Sequence, residues 1–294
     1  MRVLVTGATG FTGSHVVPRL VAAGLQVRAL LRDPARVGAL GGLKVEWVAG
    51  DLADQAALAR AMTGCDALLN IASLGFGHAP GIIAAAEASG LGRAVFVSTT
   101  AIFTQLNAGS KIVRVAAEQA VRGSRLDWVI VRPTMIFGSS RDRNMCRLVR
   151  FLRRSPVLPV FGPGLCLMQP VYVEDLADAL VAALITPSAG RREYNVSGRD
   201  ALPYNEIVHR TARAMGRRVK LLHLPFRPVV RILEFLERRK CRLPLKAEQV
   251  LRLNEDKAFS WAQAGRDLAY SPRSFDIAIR RQLSEMGLRV SPLS

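Results

Sequence analysis

The chain has 294 residues, half of them hydrophobic and 22% charged, which supplies a large apolar core and excludes a disordered chain. Its 41 Lys and Arg outnumber 23 Asp and Glu for a net charge of +18, a balance that draws anions such as dinucleotides, nucleotide-sugars or acidic lipids. Nucleic acid is set aside because no reader motif accompanies the charge.

Arg2–Thr6 is a short apolar run ended by glycine, as in a buried parallel strand. A helix from Phe11 to Ala23 follows, closed by Gly24, and Pro18 inside it is expected to remove a hydrogen bond and kink it. Further strands are predicted at Gln26–Leu31, Lys44–Val48, Asp66–Asn70, Arg93–Val97 and Asp127–Val131. The helices between them run from Asp54, read as an N-cap, to Met62, from His78 to Ser89 and from Ser110 to Arg122. Alternation with short connections forces right-handed crossovers. The expected fold class is therefore α/β, a doubly wound parallel Rossmann sheet with helices on both faces.

After Arg132-Pro133 the rhythm changes. Asn144–Arg154 reads as a basic helix, and Pro156, Pro159, Pro163, Gly162 and Gly164 as an irregular loop. Asp175 is expected to cap a helix over Leu176–Ile185, and Glu193–Val196 reads as one more strand. Helices follow at Tyr204–Met215, Pro228–Arg239, Leu245–Leu253 and Ser274–Met286. The reading is a core over residues 1–135 and a smaller, mainly helical substrate lobe over 136–294, with 170–200 returning to the core. Four scattered cysteines without CxxC spacing read as reduced, mostly buried thiols, and four histidines without an H-x-x-x-H pair predict no metal site. No signal peptide is visible and no apolar stretch approaches a bilayer span, so the expectation is a cytoplasmic protein, monomeric or homodimeric.

The strongest chemical signal is Thr6-Gly7-Ala8-Thr9-Gly10-Phe11-Thr12-Gly13, placed between a strand and a helix. Gly7 permits a tight turn, Gly10 lets backbone amides approach a pyrophosphate, and Gly13 lets the helix pack closely on the strand. The helix N-terminus adds partial positive charge where the phosphates would lie. Thr9, Phe11 and Thr12 belong to the same cradle. Arg32 ends the second strand, where the adenosine ribose is expected. An arginine there suits a 2′-phosphate, which favours NADP(H), whereas Asp33 would serve the 2′-hydroxyl of NAD(H).

The segments TGATGFTG, ALLRDP, GDLAD, VFVSTT, AAEQAV, VIVRPTMIFG and PVYVEDLADAL occur in the order found in extended or atypical short-chain dehydrogenases/reductases, and the chain resembles that family over residues 1–185. The family includes NAD(P)-dependent nucleotide-sugar epimerases and dehydratases. A looser likeness continues through NEDKAF and DLAYSPRSF. The resemblance implies that Asp51 and Leu52 lie beside the adenine, that Ala72 and Ser73 line the pyrophosphate–nicotinamide path, and that Arg132, Pro133 and Thr134 lie beside the nicotinamide. It also implies a catalytic hydroxyl at Thr99, flanked by Ser98 and Thr100. The family's Tyr-x-x-x-Lys pair is absent. Ser110 stands at the tyrosine position and Arg114 at the lysine position. A register that makes Lys111 the lysine puts Asn107 at the tyrosine. A neighbouring ammonium would lower a phenol's pKa, but a serine hydroxyl is a poor acid at neutral pH. Proton transfer through water, through Ser110 or through the substrate itself remains open.

Met168 and Gln169 stand where nucleotide-sugar enzymes of the family often carry an arginine, and Arg141, Arg143 and Asn144 are the alternative contacts for an anionic substrate. The expected activity is an NADP(H)-preferring oxidoreductase or epimerase/dehydratase-like enzyme. It would move a hydride to or from a carbonyl or carbinol carbon of a small molecule, for instance a nucleotide-sugar or lipid-linked sugar. The alternative is a non-catalytic NADP(H)-binding redox-sensor or assembly protein. Finally, Arg227–Arg242 interleaves apolar and basic residues at helical spacing. It reads either as a lobe helix burying an apolar stripe or as a peripheral helix on anionic membrane.

Overall fold

The computed structural model describes every residue except 34, 36, 107, 108, 240, 242–246 and 292–294. The first half comprises β1 (Arg2–Thr6), α1 (Gly13–Ala22), β2 (Gln26–Leu31), β3 (Val45–Ala49), α2 (Gln55–Met62), β4 (Ala67–Asn70), α3 (Ala79–Ala88), β5 (Arg93–Val97), α4 (Gly109–Arg122) and β6 (Asp127–Pro133). There follow β7 (Ile136–Phe137), α5 (Met145–Arg154), β8 (Val157–Phe161), β9 (Leu167–Met168), β10 (Val171–Tyr172), α6 (Val173–Ile185) and β11 (Arg192–Val196). The rest is β12 (Leu202–Pro203), α7 (Tyr204–Ala214), β13 (Lys220–Leu224), α8 (Phe226–Arg238), α9 (Ala247–Leu253), α10 (Ala262–Leu268) and α11 (Phe275–Glu285).

Seven strands form one sheet in the order β11-β6-β5-β4-β1-β2-β3. Every pairing in it is parallel, with Thr6 opposite both Leu30 and Asn70. Side chains alternate across a strand. Val3, Val5, Leu69, Val95 and Val129 therefore face one apolar layer, shared with α1 and α6, while Leu4, Leu68, Phe96 and Ile130 face a second, shared with α2, α3 and α4. The strand order reverses between β1 and β4, so a crevice opens at their carboxyl ends. Asp54 caps α2, its carboxylate accepting from the amides of Ala56 and Ala57.

α1 contains Pro18, as expected, and ends at Ala22; two other expectations are corrected. The proline removes one intrahelical bond, and Val16, Val17 and Leu20 buried on either side of it hold the helix on the sheet. The proline-rich stretch is not all irregular. Val157–Phe161 is β8 and pairs in parallel with β13, Pro159 opposite Leu222. Its partner lies some sixty residues further on, and a two-stranded sheet tolerates a proline because each strand has a free edge. Asp175 lies inside α6 and not at its cap. Its carboxylate accepts from the Arg273 amide at 2.9 Å and pairs with the Arg273 guanidinium at 2.6 Å. α10 is an additional short helix that the sequence pattern did not indicate. Cys65 and Cys146 are buried, whereas Cys241 is exposed.

One polar network runs through the core. Arg132, 6% exposed at the end of β6, donates to both carboxylate oxygens of Glu118 on α4 and to Glu193 on β11. Glu193 also accepts from Arg122. Removing one partner of a buried pair strands the other charge. Glu118→Ala should therefore destabilise the protein by about 3 kcal/mol, read as a lower urea midpoint with an unchanged slope. An unaltered midpoint would mean that Glu193 alone neutralises Arg132.

Candidate active site

The turn between β1 and α1 is held by two contacts that only glycine permits and by one backbone hydrogen bond. Gly7 has φ +72°, and a Cβ there would lie 2.9 Å from the Ala72 amide nitrogen. A Cβ on Gly13 would collide with the carbonyl oxygens of Gly7 and Ala8. Gly10 is exposed, and its amide donates to the Gly7 carbonyl at 3.0 Å. Behind the turn, the Thr6 hydroxyl donates to Asn70, whose amide donates to the Ala72 carbonyl, so the ends of β1 and β4 are tied together. Thr12 is buried at the helix start, and the Phe11 ring meets His15 edge-on at 5.7 Å. This cradle, open at Gly10 and facing the amino end of α1, fits a dinucleotide pyrophosphate.

Along the same sheet edge lie the other residues expected to line a coenzyme. Arg32 follows β2, is exposed, and has no protein partner among the described residues. The Asp33 carboxylate accepts from the Ala35 amide at 3.0 Å. Asp51 follows β3 and accepts from Ala53, and half-buried Leu52 packs against the core layer that includes Leu58. Ala72 and Ser73 follow β4, the serine hydroxyl accepting from Gly75. Arg141 also reaches this edge. It donates to the Thr9 carbonyl at 2.8 Å and to the Ser14 hydroxyl at 3.1 Å, so it braces the glycine turn and does not enter the substrate cleft. Burial, Arg19 and Arg141 together lower the pKa of His15 beside it.

Beyond β5 and β6 a cleft of about 870 Å³ opens between the segment Thr99–Leu106 and the segment Leu251–Phe259. Thr99 lines it, its hydroxyl accepting from the Ala101 amide at 3.1 Å, and Thr100 donates to the Pro133 carbonyl. The neighbouring Ser98 hydroxyl is buried and has no hydrogen-bond partner among the described residues. Thr134, Met135, Asn144 and Met168 also line the cleft, and Phe103 and Phe259 form an aromatic wall with ring centroids 5.5 Å apart. Glu255 fastens one side to the other, accepting from the Thr104 hydroxyl and the Gln105 amide at 2.6 Å each. Lys257 lines the cleft as well. Its ammonium donates to the carbonyls of Arg252 and Glu255, which leaves the third of its donors. Burial, only partly offset by Glu255, lowers its pKa.

Neither register of the Tyr-x-x-x-Lys comparison brings a phenol here. Ser110 is exposed and accepts from Arg114 at 3.0 Å, and Lys111 is bound to the Thr104 carbonyl at 2.6 Å. Asn107 lies outside the described residues. The Arg114 guanidinium stacks against Gly75 in the loop after β4. None of the four tyrosines lines the cleft; Tyr194 bonds Asp267 and Tyr270 bonds the Ser197 carbonyl.

The guanidinium of Arg132, in the loop expected beside the nicotinamide, is engaged in the buried ion network. Pro133 completes β6, and Thr134 donates to the Gln169 carbonyl. Gln169 bridges the Gly198 carbonyl and the Phe259 amide and so serves the fold. Arg143 is exposed and does not line the cleft, whereas its neighbour Asn144 does. Residue reading missed Phe103, Glu255, Lys257 and Phe259 as site residues. The motif NEDKAF was the available signal, but motif order alone does not show that it faces the end of β5.

Residues 7–156 match the NAD(P)H-binding family. A ceramide reductase of Caulobacter vibrioides is 34% identical over 76% of this chain and 73% of its own. A 2-alkyl-3-oxoalkanoate reductase of Stenotrophomonas maltophilia is 27% identical over 96% and 98% of the two chains. The UDP-glucuronic acid 4-epimerase of Bacillus cereus, solved with UDP-glucuronic acid and NAD, superposes with a TM-score of 0.76 over 98% of this chain and 99% of its own at 16% identity, which shows a shared fold. The chain belongs to the NAD(P)H-binding family and, within it, to the extended short-chain dehydrogenases/reductases, a group of NAD(P)-dependent oxidoreductases and epimerases.

Gly13→Ala should weaken NADPH binding at least tenfold, equivalent to about 1.4 kcal/mol, because the methyl group pushes α1 away from the turn. Isothermal calorimetry on folded protein measures this, and an unchanged affinity would show that the phosphates bind elsewhere.

Proposed function

We propose that this member of the extended short-chain dehydrogenases/reductases reduces a ketone on a hydrophobic, alkyl-bearing substrate and prefers NADP(H) to NAD(H). The apolar part of the cleft lining carries the reading: Phe103, Phe259, Met135, Met168, Phe226 and Leu251 share the cleft with Thr99, Asn144 and Lys257 and with a polar set that includes Gln105, Asn254, Glu255 and Asp256. A nucleotide-sugar would need its diphosphate met there. The arginine that lines the cleft, Arg252, is already paired with Glu248 at 2.6 Å. The relatives named for ceramide and for a 2-alkyl-3-oxoalkanoate are reductases, which supports the same substrate class.

In this reading residues 1–135 hold the coenzyme and 136–294 the substrate, with 170–200 rejoining the core through β11. The turn of Gly7, Thr9, Gly10, Phe11, Thr12 and Gly13 receives the pyrophosphate at the amino end of α1, with the Gly10 amide holding the turn through the Gly7 carbonyl. Arg32 meets the 2′-phosphate, Asp51 and Leu52 flank the adenine, and Ala72, Ser73, Pro133 and Thr134 border the path to the nicotinamide. Arg114, stacked on Gly75, holds the ribose side. Lys111 and Ser110 support the loop and Arg114. When bound, the coenzyme supplies the hydride that enters the carbonyl carbon. The Thr99 hydroxyl orients the carbonyl oxygen. Lys257 gives that oxygen a proton and recovers one from water, the role a tyrosine fills elsewhere in the family.

Arg32→Ala should raise the Kd for NADPH about tenfold and leave that for NADH unchanged. Equal effects on both would assign Arg32 no part in the choice of coenzyme. Loss of NADPH absorbance with methyl β-oxododecanoate tests turnover. Lys257→Met should lower kcat roughly a hundredfold. An acid must be protonated to act, so kcat should fall as pH rises through a Lys257 pKa that burial places below the ordinary 10.5. The variant should lack that limb. A second reading, a coenzyme-binding sensor or assembly protein, is favoured by the absence of a phenol from the cleft. Tight NADPH binding without turnover of β-keto esters, lipid ketones or UDP-sugars would decide for it.

A further inference from the structure

Helix α8 has two apolar faces, and only one of them is covered. Phe226, Val229, Val230 and Leu233 pack together with Ala247 and Val250 of α9. Ile232 and Phe235, three residues apart and so neighbours on another face, are 58% and 56% exposed. Arg227, Arg231, Arg238 and Arg239 are all exposed around them, and the Arg239 guanidinium lies 5.0 Å from the centroid of the Phe235 ring. The strand leading into α8 adds to this surface. Leu222 on β13 is 53% exposed opposite Pro159, and Val157 is exposed on the paired strand.

Resting on the reading of the cleft as a site for alkyl-bearing ketones, we propose that α8 docks the protein on an anionic bilayer and brings the mouth of the cleft to the lipid surface. Two observations select this occupant. The helix carries four exposed arginines against Glu234 and Glu237, a net positive charge that a second copy would repel, whereas anionic headgroups complement it while the acyl region takes up Ile232 and Phe235. The same helix also borders the cleft, through its covered face: Phe226 of α8 and Leu251 of α9 line it. A substrate whose chain is dissolved in the bilayer would then be presented beside the helix that borders the cleft. The contact is peripheral, since among the described residues no helix is long and apolar enough to cross a membrane.

Co-sedimentation of the full chain with vesicles tests this. Binding is expected to vesicles of phosphatidylcholine with phosphatidylserine at low salt, and not to phosphatidylcholine alone. High salt should release the protein because it screens the arginines. The double substitution Ile232→Ser and Phe235→Ser should reduce the bound fraction at least tenfold, with the NADPH affinity by calorimetry unchanged. Equal sedimentation of the variant and the wild type would overturn the proposal. So would concentration-dependent dimerisation that the same substitutions abolish, because the face would then belong to a second copy. Turnover of detergent-dispersed methyl β-oxododecanoate is measured separately. Vesicle binding without turnover refutes the substrate reading and leaves the docking face standing; turnover without vesicle binding does the reverse.

Discussion

The close approach of the β1–α1 turn to the end of β4 governs the rest of the molecule. Gly7 and Ala72 are near enough that a methyl group on Gly7 would disturb the backbone of the neighbouring strand end, and Gly13 lies directly beneath two carbonyls of the turn. This closeness has a double consequence. It sets the amino end of α1 over the crevice where the strand order reverses, and it leaves the exposed amides around Gly10 as the most accessible donors on that edge. The Thr6–Asn70 hydrogen bond, buried beneath the turn, keeps the two strand ends in register, so the cradle is rigid before any anion arrives. All seven strands point the same way, and every loop able to touch a dinucleotide therefore emerges on one side.

The second half of the site is built on ions and not on glycines. Arg132 is fixed by Glu118 and Glu193, and its guanidinium lies 5.2 Å from the centre of the Phe103 ring. A buried ion pair is costly to desolvate, and replacement by apolar residues is often neutral for stability. What this one adds is position: it joins α4, β6 and β11, and its free face supports the aromatic wall of the cleft. Glu255 completes the wall from the opposite side by holding Thr104 and the Gln105 amide. The coenzyme edge is thus set by local backbone geometry. The substrate cleft depends instead on partners separated by up to about 150 residues.

That difference explains what could be read from the chain. The sheet strands, the glycine turn, the Asp54 cap and the family were legible, because each depends on periodicity or on residues a few positions apart. Arg32, Asp51 and Ala72 were legible for the same reason, since each follows a predictable strand. β8 was not. Its prolines read as punctuation, and only a distant strand makes it a strand. Asp175 was misread because an acid near a helix start resembles a cap, whereas its partner Arg273 is almost a hundred residues away. Arg132 shows what position alone leaves out: the motif gives its place at the end of β6, whereas the two carboxylates that hold its guanidinium come from α4 and β11.

The absent phenol was legible at once; what takes its place was not. A tyrosine on the α4 face would act beside the coenzyme, within reach of a lysine one turn away. In this chain that face is given to Ser110, Lys111 and Arg114, all engaged with the protein. Beside Arg252, the cation that lines the opposite wall of the cleft without a carboxylate partner among the described residues is Lys257, anchored through carbonyl oxygens at the end of α9. An ammonium held by neutral carbonyls gains no counter-charge from them, while burial disfavours its charged form, so its proton is easier to give up than that of a surface lysine. With Lys257 as the proposed acid, proton donation depends on the lobe's own packing. Glu255 sits two residues before it and accepts from Thr104 and the Gln105 amide in the segment after β5, so its contacts tie the proposed proton source to the wall that carries Thr99. In that reading the segment after β5 and the end of α9 position the hydroxyl and the ammonium together.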